Sequence, residues 1–181
     1  MTARRWLVRA VDLSDETWQR HANPWSVWTR FAAIPAFMLA VWSRAWIGWW
    51  AVVPLVVVVF WLWVNPRAFA PVEVPQSWAA RGIFGERLWL REPDRVPADL
   101  RRVLRALILP GLLGVALLAW GLLWLEPWPA LAGAGLVIAA QLWRIDCLGR
   151  FYQRTELRRT VSAAPDDRST RPSATPSSRD R

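Results

Sequence analysis

Residues 47–64 read IGWWAVVPLVVVVFWLWV. These 18 residues carry no charge, and their only hydrogen-bonding side-chain groups are indole N–H. As a helix rising 1.5 Å per residue the run covers roughly 27 Å, close to the hydrocarbon thickness of a bilayer. It has no polar face, so it reads as a membrane span rather than as one side of a soluble core. Trp42, Trp46, Trp49 and Trp50 cluster at one end and Trp61 and Trp63 at the other. Indoles favour the two bilayer interfaces, which fits a helix anchored at both ends.

Upstream, Asn23-Pro24 is a helix start, with Asn as N-cap and Pro at the first helical position, where its missing N–H costs nothing. The first span is expected from about Pro24 to Trp42, with Thr29 and Arg30 at its entrance and a kink at Pro35. Ser43-Arg44-Ala45 forms a tight turn into the second span, which stops at Asn65-Pro66. Before all this, Ser14 is placed as N-cap of a short amphipathic helix with Asp15 and Glu16 in its first turn and Trp18 on its apolar side. The first 25 residues hold arginines but no apolar core followed by a small-residue cleavage site. The first span is therefore expected to act as its own uncleaved insertion signal.

Downstream, residues 65–103 hold five prolines and two glycines. Ser77 is expected to cap a short helix through Arg81, closed by Gly82, and residues 86–91 to lie along the membrane surface. Pro97 opens the next helix, with Asp99 in its first turn. A third span runs over 106–125, and Glu126-Pro127-Trp128-Pro129 turns the chain. The fourth span covers 130–143 and continues through Arg158, with Gly135 and Ala139 as a small-residue pair for close helix contact. Residues 160–181 are rich in Ser, Pro, Arg and Asp without apolar periodicity and read as a disordered tail.

The organisation expected is an all-α, four-helix transmembrane bundle of two helical hairpins with a small cytosolic cap. Residues 1–23 form an amphipathic cytosolic segment, 24–64 the first hairpin, 65–103 a cytosolic loop, 104–159 the second hairpin with a cytosolic extension, and 160–181 the tail. Residues 1–30 hold five arginines, 65–105 eight and 144–181 nine, whereas the two short turns hold only Arg44 and Glu126 between them. The positive-inside bias puts both termini and the middle loop in the cytoplasm of a cell with an inner membrane.

Among 181 residues, every one of the 23 basic side chains is Arg and the net charge is +9. In a soluble chain that would point to nucleic acid. In a membrane chain it is explained by topology and by anionic lipid headgroups, so the bilayer, a membrane partner subunit or a second copy are the expected partners, and nucleic acid is not. Cys147 is the single cysteine, so no intrachain disulfide forms. One His and one Cys without spaced carboxylates do not make a metal site. Gly82-Ile-Phe-Gly85 lacks the lysine and the strand-to-helix context of a phosphate loop, and no Ser sits in a nucleophile elbow. No cofactor and no catalytic residue is assigned.

Polar residues gather at the cytosolic ends of the spans. His21, Asn23, Arg30, Asn65, Arg67, Glu86 and Arg87 are brought to one face by the topology. Arginines can fork onto a phosphate or carboxylate, Asn and backbone N–H can hydrogen-bond it, Glu86 can hold an Arg in place, and His21 can exchange a proton. The set is therefore a candidate site for an anionic ligand or headgroup. The plainer reading is that Asn23 caps a helix, Asn65 ends one and Glu86 pairs with a nearby Arg. The strings His21-Ala-Asn-Pro-Trp-Ser-Val-Trp-Thr-Arg30, Asn65-Pro-Arg67 and Gly85-Glu-Arg-Leu-Trp89 resemble an uncharacterised family of small prokaryotic multi-pass membrane proteins, over about residues 14–155. That resemblance implies a membrane protein and carries no activity with it. The role expected is a non-enzymatic structural or accessory one. The alternatives are a membrane enzyme or binder of a phosphate- or carboxylate-bearing molecule, and a small oligomeric transporter.

Overall fold

The computed structural model describes residues 15–163, and among them every regular element is helical. The elements are α1 (Asp15–His21), α2 (Pro24–Trp42), α3 (Arg44–Ile47), α4 (Val52–Ala68), α5 (Trp78–Arg91), α6 (Ala98–Ala106), α7 (Ile108–Trp124) and α8 (Pro127–Ala163). Short 3-10 turns occupy Gly48–Ala51 and Pro93–Arg95. The expected cap Ser14 and most of the expected tail lie outside the described residues.

Three stretches, Pro24–Ala68, Ala98–Trp124 and Pro127–Thr160, are long and apolar enough to cross a membrane. The first doubles back on itself. Ser26, near the start of α2, hydrogen-bonds Asn65, near the end of α4, so the two helices run antiparallel. The connection is longer than a tight turn, with α3 and the 3-10 turn occupying 44–51. Gly48 sits at φ 54° there, a conformation glycine adopts at no steric cost. The apolar run thus enters regular helix at Val52 rather than Ile47.

At its far end α4 does not stop at Asn65-Pro66 but runs on to Ala68. Pro66 removes one N–H from the last turn, which a helix end tolerates, and Asn65 is turned inward as a contact residue. The second hairpin is α7 and α8. Leu125, left-handed at φ 59°, closes α7, and Glu126 N–H donates to Gly121 O at 2.9 Å. That is the six-residue closure of a Schellman-type cap.

Helices α7 and α8 approach backbone to backbone. A Cβ on Gly121 would collide with Ala130, one on Gly133 with Leu118, and one on Gly114 with Val137. Gly135, expected to make this contact, instead faces open space, because it lies on the other side of α8. Helix α2 seats Met38 against Leu122, Ala130 and Ala134, which joins the two hairpins. Arg44 Nη2 donates to Leu122 O at 2.7 Å and Leu123 O at 2.5 Å. It satisfies carbonyls that the end of α7 would leave without a partner.

A second apolar cluster sits at the opposite end. Trp18 of α1 and Ala22 just after it pack with Val27, with Ala79, Ala80 and Ile83 of α5, and with Ile145 of α8. Ser77 caps α5 by accepting from Ala80 N–H, as expected, but the helix continues past Gly82 to Arg91. Gly82 and Gly85 are interface residues: a Cβ on either would run into the backbone of α8 at Ile145 or Leu148. Residues 86–91 are therefore the second half of α5, not a separate surface segment. Helix α8, 37 residues, is about 55 Å long, roughly 25 Å more than a bilayer's hydrocarbon core. Its C-terminal half carries the packed α5.

Candidate functional site

Of the seven residues singled out in the sequence, three, His21, Arg30 and Asn65, fall in two neighbouring clusters. Arg30 is drawn into the first of them by three bonds. Its Nε donates to Ser26 O at 2.9 Å, its Nη2 donates to His21 O at 3.0 Å, and its Nη1 lies against the ring nitrogens of His21, 3.2 Å from Nδ1. A guanidinium only donates, so a facing imidazole nitrogen accepts and the ring is neutral. Burial, followed by the positive charge of Arg30, pushes the His21 pKa down to about 4. The edge of Trp18 packs against the same ring, 6.1 Å between centroids. His21 and Arg30 thus lock α1 onto the start of α2.

Asn65 makes the second cluster. It and Ser26 are fully buried. Ser26 Oγ donates to Asn65 Oδ1 at 2.7 Å, Asn65 Nδ2 donates to Thr29 Oγ1 at 2.7 Å, and Thr29 Oγ1 donates to Trp25 O at 2.7 Å. The chain of bonds ties α4 to the first turns of α2. Ser26 and Thr29 lie three apart on one helical face, the spacing at which two side chains reach one partner. Both stand within the quoted motif, yet their partner lies 39 and 36 residues away, and pairing of that kind has no local signal.

The remaining residues diverge. Asn23 accepts from Trp25 N–H as N-cap and donates to Ala70 O at 3.1 Å, holding the strand-like segment after α4. Glu86 accepts from Arg144 Nη2 at 2.5 Å, an ion pair between α5 and α8 whose partners stand 58 residues apart in sequence. Arg87 and Arg91 both reach Asp15 at 2.6 Å and fasten α1 to α5. Those arginines, the Arg91 hydrogen bond foremost, hold the Asp15 carboxyl below the usual carboxylate range. Arg67 turns away to Trp63, donating to its carbonyl at 2.9 Å and lying over its ring at 4.9 Å. Arg67 is exposed and joins no cluster. No group of three or more His, Cys, Asp or Glu that could hold a metal exists among the described residues.

Geometry therefore describes a helical protein of two antiparallel apolar hairpins, with a polar clamp at the base of the first and an arginine-rich packed cap beneath. The chain belongs to DUF6653, a family of unknown function, whose model matches residues 2–173. No curated protein and no solved structure matches it.

Proposed function

We propose that this chain is an integral membrane protein of four spans, α2, α4, α7 and α8, with both ends and the α5 cap on the cytoplasmic side of the inner membrane. Its role is that of a non-enzymatic structural or accessory component that holds anionic headgroups through its arginine-rich face. The observation that carries this reading is the surface of α4. Val53, Val56, Val57 and Phe60 are each more than half exposed, and none of the most apolar window of Pro24–Ala68 is buried. A continuous apolar surface of this kind is stable against lipid and not against water.

Orientation follows from charge. The arginines crowd the ends joined to α1, α5 and α6, while Arg44 at the opposite end is engaged with the carbonyls of α7. His21, Arg30, Asn65 and Glu86 each bind groups of the protein itself, which suits a packing role better than turnover. The test is alkaline carbonate extraction of membranes from expressing cells, with protease treatment of right-side-out vesicles carrying a C-terminal tag. The expected result is a pelleted protein whose tag is protected until the vesicles are opened. Release into the aqueous fraction, or digestion of the tag in sealed vesicles, would overturn the reading.

A further inference from the structure

A cleft of about 570 Å³ opens between α5, α6, α7 and α8. Its apolar lining is built from Leu107, Leu112 and Val115 on one side and Val137 and Ala140 on the other, with Leu112 and Val115 open to the outside of the bundle. Its rim carries Arg101 and Arg105 of α6 and Arg144 of α8. Among the described residues neither Arg101 nor Arg105 pairs with a carboxylate; Arg105 Nε donates to Arg101 O at 3.2 Å. Arg144 uses Nη2 on Glu86 and lies 6.0 Å over the ring of Trp89, which also lines the cleft. Three guanidiniums thus face the mouth with one carboxylate among them. From Leu107 to Val115 the wall descends about 12 Å along α7, most of the ~15 Å hydrocarbon depth of one leaflet.

We propose that this cleft seats one anionic phospholipid, an acyl chain lying between α7 and α8 and the phosphate held by Arg101, Arg105 and Arg144. The proposal rests on the membrane reading above and adds to it a defined site with a defined occupant. Charge decides the occupant: a rim with excess positive charge favours a headgroup that keeps a net negative charge over a zwitterion. Shape decides that the ligand is a lipid rather than a bare anion, because the volume lies among aliphatic side chains below the arginines. Gly111 lines the cleft, and a Cβ built there meets nothing within 4 Å, so the position looks into the space the chain would fill. Gly135 is equally open but does not line the cleft.

The experiment uses the full chain, extracted in mild detergent, incubated with phosphatidylglycerol or phosphatidylcholine and read by native mass spectrometry. Wild type is expected to retain one phosphatidylglycerol and at least tenfold less phosphatidylcholine. Gly111→Phe, which fills the cleft and leaves the arginines, is expected to lose that lipid about tenfold, as is the double variant R101Q/R105Q. Gly135→Phe serves as the control and should retain it. Melting temperatures of all variants in lipid-free detergent show whether each has folded. Equal retention of both lipids, or full retention by a folded Gly111→Phe, would overturn the site. Loss in the arginine variant without loss in Gly111→Phe would likewise overturn it, pointing to surface charge alone. Failure of the membrane reading is distinct, because the wild-type chain would then need no detergent to stay in solution.

Discussion

Two residues with opposite burdens, Asn65 and His21, hold the base of the first hairpin. Asn65 is a polar side chain enclosed by α2, and it is tolerated because both ends of its amide are satisfied. Interhelical hydrogen bonds of this kind contribute about 0.6–1.7 kcal/mol in membranes. Asn65→Ala should lower stability by about 1–2 kcal/mol, since it also opens a small void, and thermal unfolding in detergent would show it. A change within error would mean that Ser26 and Thr29 are content with their own helix. His21 is buried neutral, its pKa about 4 against 6.5 when unfolded. Between those values the unfolded chain binds more protons, so stability is complete above about pH 6.5 and declines as pH falls toward 4. The decline amounts to about 3 kcal/mol at most. Melting temperature measured from pH 7 to 4.5 should drop, and the slope should flatten in His21→Gln. At this scale the caps Asn23 and Ser77 were legible because a cap acts on backbone two or three residues away. Asn65, next to a proline, looked like a helix end, since its real partners lie on another helix.

Among elements, the difference between glycines that break a helix and glycines that join two is decisive. Gly82 and Gly85 allow α5 to lie on α8, and Gly114, Gly121 and Gly133 allow α7 to lie on α8. Gly133→Val should force α7 and α8 apart and lower stability by about 3 kcal/mol, seen as a sharp drop in melting temperature, because overpacking against backbone has no easy relief. Gly135→Val, two residues along and facing open space, should change stability by less than about 0.5 kcal/mol. Equal effects of the two would contradict the packing described. Spacing alone singled out Gly135, because a small-residue pattern does not say which side of a helix faces its neighbour. The existence of the apolar helices was plain from their length and composition. Their starts were not, for Gly48 sets the entry to α4 by a backbone angle that the sequence does not display.

For the molecule as a whole, the arginines and the apolar surface divide along the same axis. The apolar hairpins turn at 43–51 and at 125–126, and Arg44 joins the first of these to the last turn of α7. Among the described residues it is the sole arginine placed there, and its charge is answered by α7 carbonyls rather than by solvent alone. At the other end, ion pairs from Asp15 and Glu86 gather α1, α5 and α8 into the cap. Alternation of oily runs and arginine-bearing connections made the hairpin order readable in the sequence. The cap was only partly so, because its contacts join segments more than 50 residues apart.

The proposed topology puts both hairpin turns on one side of a bilayer and the α5 cap on the other. It is tested by replacing Cys147 with Ser and introducing single cysteines at exposed positions, Trp49→Cys and Trp128→Cys in the turns and Val74→Cys before α5. Intact cells with a permeabilised outer envelope are then treated with a membrane-impermeant maleimide. The expected result is labelling of Trp49→Cys and Trp128→Cys alike, with Val74→Cys labelled only after the inner membrane is opened. Labelling of Val74→Cys in sealed cells together with either turn, or labelling of one turn and not the other, would contradict the two-hairpin arrangement.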